Sequence, residues 1–199
     1  MGKLIVNMFV TLDGVIQAPG GPEEDTVGGF KFGGWQQPLS DEKAGQDITN
    51  HIAKGDALLL GRSTYDNFAG YWPKQAGPIA DRFNSIPKYV ASRTLKKVAW
   101  KNASILEGDL AEAVARIKKK HKEIHTWGSS QLVPTLLEHG LVDLFDLHLY
   151  PVVLGTGKRL FAEGIVPTTF RLKESEVYPK GAIHLRYEPA GKPEFGSMG

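Results

Sequence analysis

The feature that most constrains this chain is a pattern of short apolar runs that end in Gly, Ser, Thr or Arg and pass straight into helical spacing. Ala57-Leu58-Leu59-Leu60 runs into Gly61-Arg62-Ser63-Thr64, with a helix expected through Tyr65 and Phe68. Lys88 to Ser92 runs into Ser92-Arg93-Thr94, and Ile124 to Trp127 runs into Gly128-Ser129-Ser130 before Leu132, Leu136 and Leu137. Uninterrupted apolar runs belong to strands covered on both faces, and strands alternating with helices make a mostly parallel sheet. Leu4 to Val10 reads as a further buried strand, stopped by Asp13-Gly14. Asp109-Leu110-Ala111-Glu112 carries a helix cap, and Leu110, Ala113, Val114 and Ile117 follow at helical spacing. Leu144 to Leu154 reads as a long strand, and Phe170 to Tyr178 with Ala182 to Tyr187 as a closing hairpin around Pro179-Lys180-Gly181. The fold class expected is therefore α/β: a three-layer α/β/α arrangement, mostly parallel, with an antiparallel hairpin at one edge.

A chain of 199 residues with 41% hydrophobic and 23% charged residues suits one domain, placed at 1–189, with 190–199 as a flexible tail. Gly196-Ser197-Met198-Gly199 has the look of an appended remnant. A formal net charge of +2 offers no footprint for nucleic acid. The absence of Cys excludes disulfides, thiolate metal sites and Cys nucleophiles. The apolar run Leu4 to Val10 is too short and too polar for a signal peptide or membrane span, so a cytoplasmic protein with no membrane partner is expected. Asn102-Ala103-Ser104 is a glycosylation sequon without a secretion signal to give it weight.

In open α/β sheets, ligands gather at the carboxyl ends of strands, where helix N-termini offer free N–H groups. Three successive junctions with hydroxyls, two of them with Arg, suit an elongated polyanion, although each alone is most simply a helix cap. The common fingerprints are absent: Gly155-Thr156-Gly157-Lys158-Arg159-Leu160 lacks its third Gly, and no GK pair is followed by Ser or Thr in the phosphate-loop frame. His121 and His125 are four apart, but the helix-to-strand break between them argues against a metal, and none is expected. Lys118-Lys119-Lys120 is a solvated helix end. The Gly- and Pro-rich stretch from Ala18 to Pro38 is long for a passive loop, so Trp35 is either a core anchor or part of a lid over a ligand; Trp72 carries the same choice.

The ordered set Thr11-Leu12-Asp13-Gly14, Leu60-Gly61-Arg62-Ser63-Thr64-Tyr65, Ser92-Arg93-Thr94, Gly128-Ser129-Ser130 and Pro151-Val152-Val153-Leu154-Gly155 resembles the dihydrofolate reductase-like superfamily. Within it, the chain is similar to the reductase domain of the bifunctional riboflavin-biosynthesis deaminase–reductase, with Gly20 to Asp25, Gly29-Phe30 and Gly33-Gly34-Trp35 as a signature of that branch. The resemblance covers roughly residues 3 to 189. It implies NADPH as cofactor and reduction of a pyrimidine- or pteridine-like heterocycle, most closely 5-amino-6-(5-phosphoribosylamino)uracil. A dihydrofolate reductase proper and a nucleotide-binding module without turnover stand as alternatives.

On this resemblance Gly61, Arg62, Ser63 and Thr64 line the pyrophosphate and adenosine side, and Ser92, Arg93 and Thr94 hold the 2′-phosphate. Gly128, Ser129, Ser130, Gln131 and Leu132 cover the pyrophosphate and nicotinamide end, with Ile16 and Phe9 flanking the nicotinamide. Phe9, Trp35, His51 and Phe68 are the candidate substrate or lid residues, with an exposed helix position the simpler reading of His51. Reduction of a C=N bond needs a proton source. Asp13 and Asp47 are the candidates; Asp13 is equally a turn residue, and Asp47 a solvated helix acid. The superfamily's first-helix carboxylate falls near Gly45, so this chain departs from the pattern there. Relatives of this kind pair as homodimers, and the same is expected here.

Overall fold

The structure is a computed structural model and describes residues 1–161 and 163–198. The strands are β1 (Lys3–Thr11), β2 (Ala57–Gly61), β3 (Lys88–Ala91), β4 (Ala103–Ile105), β5 (Glu123–Trp127), β6 (Leu144–Tyr150), β7 (Phe170–Val177) and β8 (Ile183–Pro189). The α-helices are α1 (Glu42–Lys54), α2 (Arg62–Tyr71), α3 (Pro78–Ser85), α4 (Leu110–Lys118) and α5 (Val133–Glu138). One sheet runs in the order β4-β3-β2-β5-β1-β6-β8-β7. The first six in that order pair in parallel, while β6–β8 and β7–β8 are antiparallel. The expected mostly parallel sheet with an antiparallel C-terminal hairpin is the observed one.

Local chemistry explains the helix starts. Asp41 caps α1 through Ala44 N–H at 2.9 Å, and Asp109 caps α4 through Glu112 N–H at 3.0 Å, each satisfying a donor that a helix leaves orphaned. The long strand expected to Leu154 ends at Tyr150, because Pro151 has no N–H to continue the ladder. The short edge strand β4 lies in a polar stretch with no apolar run to announce it.

Strand β1 is buried on both faces, and alternation sends its residues to different surroundings. Leu4, Val6, Met8 and Val10 join Val114 and Ile117 of α4 and Val133 and Leu136 of α5 in an apolar core. The other face lies beneath α1 and carries Asn7 and Phe9. Leu58, Leu60, Ile48, Tyr65, Phe83 and Trp127 make a second core there. In the tail, Thr169 N–H donates to Gly191 at 2.8 Å and Ala190 N–H donates to Thr169 at 2.7 Å, so the first residues past β8 remain tied to the hairpin. Phe195 is 90% exposed, and Gly199 lies outside the described residues. Among the described residues, no helix is long and apolar enough to cross a membrane.

Candidate functional site

The parallel strands place the ends of β3, β2, β5, β1 and β6 on one edge of the sheet. Because β5 lies between β2 and β1, the turns after β2 and β5 are neighbours although they stand far apart in sequence. They are stitched together. Gly61 N–H donates to Ser129 Oγ at 3.0 Å, Ser129 N–H donates to Thr64 Oγ1 at 3.1 Å, and the two hydroxyls are 3.0 Å apart. Gly128 and Ser129 both have left-handed backbone, with φ of 56° and 53°. A Cβ on Gly128 would also lie 3.2 Å from Thr64 Oγ1, so glycine serves both the turn and the close approach.

Helix α2 begins beside this turn with Gly61 at its cap, no side-chain cap bond and no acid in its first turn. Its first N–H groups and positive dipole end are therefore open to an anion. Ser63 is exposed at the same end. Arg62 Nε bonds Asp66 at 2.5 Å, which draws the guanidinium along the helix. On the neighbouring strand end, Ser92 Oγ accepts from Thr94 N–H at 3.3 Å and from Leu95 N–H at 3.0 Å, capping its own turn. Arg93 and Thr94 are exposed there, and Arg93 has no ion pair among the described residues. Ser130 opens a short 3-10 turn and Gln131 is exposed within it. Leu132 is buried against the apolar core under α4 and α5, and its Cγ would lie 3.8 Å from a Cβ placed on Gly61, so it packs beneath the junction of the two turns.

The end of β1 corrects the proposed role of Asp13. Its carboxylate accepts from Thr11 Oγ1 at 2.6 Å, from Gly155 N–H at 2.8 Å and from Leu154 N–H at 3.3 Å. The Thr11 hydroxyl and these N–H groups hold the pKa of Asp13 below the usual carboxylate range. An acid so saturated stays ionised; it clamps the β1 and β6 turns together and donates no proton. Ile16 is half-buried on the apolar core, and its N–H donates to Lys158 at 2.8 Å. Asp47, on α1, is half-exposed and accepts from Lys43 at 2.9 Å.

The aromatic expectations divide. Trp35 is an anchor and no lid: it is buried, its Nε1 donates to Gln17 O at 2.8 Å, and its ring meets Tyr150 edge-on at 5.6 Å. Phe68 stacks on Phe83 at 5.7 Å and meets Trp72 at 6.0 Å, so both rings pack the second core instead of facing a ligand. Phe9 is half-buried between Trp127 at 5.7 Å and His148 at 5.5 Å, on the half of β1 nearest the junctions. Beside the β1 and β6 ends, the long loop and the Thr156–Lys158 turn border an open groove of about 400 Å³ lined by Gln17, Gly28, Phe30, Phe32 and Lys158.

The largest correction concerns His51. It is buried, stacked on His125 at 4.6 Å, with Nε2 at 2.8 Å from Asn7 Oδ1. It belongs to a polar layer beneath α1 centred on Asp146, whose Oδ1 is 2.8 Å from His184 Nε2 and 3.6 Å from His148 Nε2. Arg186 Nε lies 3.0 Å from the other oxygen, and His51 Nε2 3.6 Å from it. Burial drives the pKa of both His51 and His148 down to about 4. Asp146 falls to about 2, because the hydrogen bond from His184 and the surrounding imidazoles outweigh its burial. Ligand atoms of Asp146, His148 and His184 lie within 4.8 Å of one another, while Arg186 already supplies a cation to the carboxylate. His121 instead meets Tyr89 at 2.8 Å and His125 meets Glu123 at 2.9 Å, so these two histidines have separate partners. The alternation Asp146-Leu147-His148-Leu149-Tyr150 was the available signal for this layer.

Residues 2–184 match the family of the RibD C-terminal domain. The uncharacterised protein YyaP of Bacillus subtilis is 28% identical over 191 residues, covering 93% of this chain and 94% of its own length. A provisionally named riboflavin biosynthesis protein from Shewanella sp. PV-4 shares the fold with a TM-score of 0.73 at 22% identity, over 94% of this chain and 99% of that one. The Thermotoga maritima protein named diaminohydroxyphosphoribosylaminopyrimidine deaminase/5-amino-6-(5-phosphoribosylamino)uracil reductase superposes with a TM-score of 0.62 at 12% identity, over 95% of this chain and 57% of that one.

Proposed function

The chain belongs to the RibD C-terminal domain family, and from that membership and its strand-end geometry we propose that it is an NADPH-dependent reductase of a pyrimidine- or pteridine-like heterocycle. The observation that carries this reading is the row of adjacent turns at the ends of β3, β2 and β5, with the uncapped start of α2 at its centre. The residues fit the cofactor. The N–H groups of α2 and the Gly128-Ser129 turn suit a pyrophosphate, and the free guanidinium of Arg93 on the adjacent strand end suits a 2′-phosphate. NADPH would supply the hydride. The chain's own part is to bind the two phosphate groups, hold Phe9 against the reacting rings and keep water from them. The substrate reading closest to the family is 5-amino-6-(5-phosphoribosylamino)uracil.

Arg93→Ala tests the cofactor assignment. NADPH affinity, followed by fluorescence titration, should fall roughly 10- to 100-fold, the value of a charge-assisted hydrogen bond, while NADH affinity stays within about twofold. Equal losses would remove Arg93 from this role, and a wild-type protein that binds no NADPH would overturn the reading. We also propose a homodimer, supported by the open edge strand β7, on which Leu172 is 49% and Val177 70% exposed. Light scattering that returned the mass of a monomer would exclude it.

A further inference from the structure

The layer beneath α1 holds polar groups that the cofactor edge does not use. His148 and Tyr178 are each 2% exposed, and their rings lie 6.2 Å apart and nearly parallel. Neither His148 Nδ1 nor the Tyr178 hydroxyl has a hydrogen-bond partner among the described residues. Each such orphan has lost the hydrogen bond it makes with water in the unfolded chain, a penalty that a ligand making the bond would remove. Two of them on adjacent stacked rings form a pair that one ligand could satisfy.

Their surroundings fix what each atom offers. Asp146 faces Nε2 of His148 at 3.6 Å, which favours the proton on Nε2 and leaves Nδ1 as a lone-pair acceptor. Burial, helped by His184, keeps this imidazole neutral. Burial and the nearby Asp47 and Glu176 carboxylates push the Tyr178 pKa upward, so its hydroxyl keeps its proton, and a ligand carbonyl accepts that hydrogen bond in competition with Asp47. A divalent metal is the competing use of Asp146, His148 and His184, but Arg186, 3.0 Å from Asp146, has taken the place of the cation.

We propose that His148 and Tyr178 read the cyclic-amide edge of a planar heterocycle: the ring N–H donates to His148 Nδ1, and the adjoining ring carbonyl accepts from the Tyr178 hydroxyl. The proposal rests on the reductase reading above and names what selects the substrate. Asp146 acts as a positioning residue, fixing the tautomer of His148. The position suits it, because His148 touches Phe9 at 5.5 Å, below the end of β1. The edge is covered by α1: Lys43 bonds Asp47 and Glu176 and lies 5.2 Å over the Tyr178 ring, and Ala44, Ile48 and Ile52 of the same helix are buried, so the heterocycle reaches the pair only when α1 shifts away from the sheet.

The test is isothermal titration of the full chain with 5,6-diaminouracil and with its 1,3-dimethyl analogue, which lacks the ring N–H groups. The wild type should prefer the unmethylated ring about tenfold or more, the value of one hydrogen bond. Tyr178→Phe and His148→Leu should each weaken it about tenfold and leave the dimethyl compound nearly unaffected. In ¹⁵N spectra of the wild type, the His148 Nδ1 resonance should move with diaminouracil and stay still with the dimethyl form. Equal affinities for the two compounds, variants that bind as the wild type does, or an unmoved Nδ1 resonance would each overturn the proposal. The spectra decide the matter if a variant fails to fold. NADPH titration of the same samples separates the two readings. Intact NADPH binding without amide discrimination sinks this proposal alone, and amide discrimination without NADPH binding sinks the reductase reading.

Discussion

The two faces of the central sheet come from the same strands yet are built of different chemistry. Beneath α4 and α5, Leu4, Val6, Met8 and Val10 of β1 meet Val114, Ile117, Val133 and Leu136 in an apolar core, and the buried charge of this side, Lys118 at the end of α4, is paired with Asp143. Beneath α1, the alternate residues of β1, β5, β6 and β8 contribute Asn7, His125, Asp146, His148, His184 and Arg186, and α1 adds His51. Apolar burial is non-directional and indifferent to pH, at about 25 cal/mol per Å². A buried polar layer contributes less net stability, demands correct geometry and answers to protons. Both faces carry apolar packing, and the one beneath α1 adds a buried polar layer to it.

Acid should separate the faces most strongly. His51 and His148 have folded pKa values near 4, below the ordinary 6.5, so the unfolded chain takes up their protons first as pH falls. Their penalty is absent above pH 6.5 and grows as pH drops from 6.5 to 4, reaching up to roughly 3 kcal/mol for each imidazole. Asp146 acts in a lower window: with its pKa at about 2, its contribution is present above 3.8 and lost below it. Urea unfolding at pH 7, 5.5 and 4.5 should show this slope, and a His51→Gln/His148→Gln double variant should flatten it. A wild-type curve flat across that range would mean that these imidazoles are solvated.

Leu136→Ala probes the apolar face. Leu136 is fully buried, and the cavity should cost about 2–5 kcal/mol by an amount unchanged between pH 7 and 5.5. A loss that varied with pH would show that the faces are coupled. The smallest effect belongs to the stitched edge. Ser129→Ala removes the acceptor for Gly61 N–H and the contact with Thr64, and should lower stability by about 1 kcal/mol while weakening NADPH several-fold. Unchanged denaturation and unchanged NADPH titration would show that Gly128 alone shapes the turn.

The apolar face was legible in the sequence because local pattern suffices for it. The stripe Leu110, Ala113, Val114, Ile117 points to burial whatever lies opposite. The polar face was not legible, since a histidine on an amphipathic helix looks solvated until its partner is known. The partner of His51 is Asn7, 44 residues away, and that of His184 is Asp146, 38 residues away. The cofactor edge stands between these cases: its turns announced themselves, but the tie between Thr64 and Ser129 depends on β5 entering between β2 and β1. Asp13 misled for a related reason, because the backbone N–H groups that saturate it come from Leu154 and Gly155.

The insertion of β5 also orders the birth of the molecule. Among the described residues, β1 pairs only with β5 and β6. A ribosome that has released residues up to about 120 has therefore made a strand with no partner, with two open edges and an apolar sequence. β2, β3 and β4 can already form a small sheet of their own, but the first strand waits until the chain reaches Glu123–Trp127. Such non-local pairing is slow and leaves sticky edges exposed during synthesis. The same crossing that brings Ser129 beside Thr64 makes the completed edge a late event, so a nascent chain can bind nothing there until well over half of it has emerged.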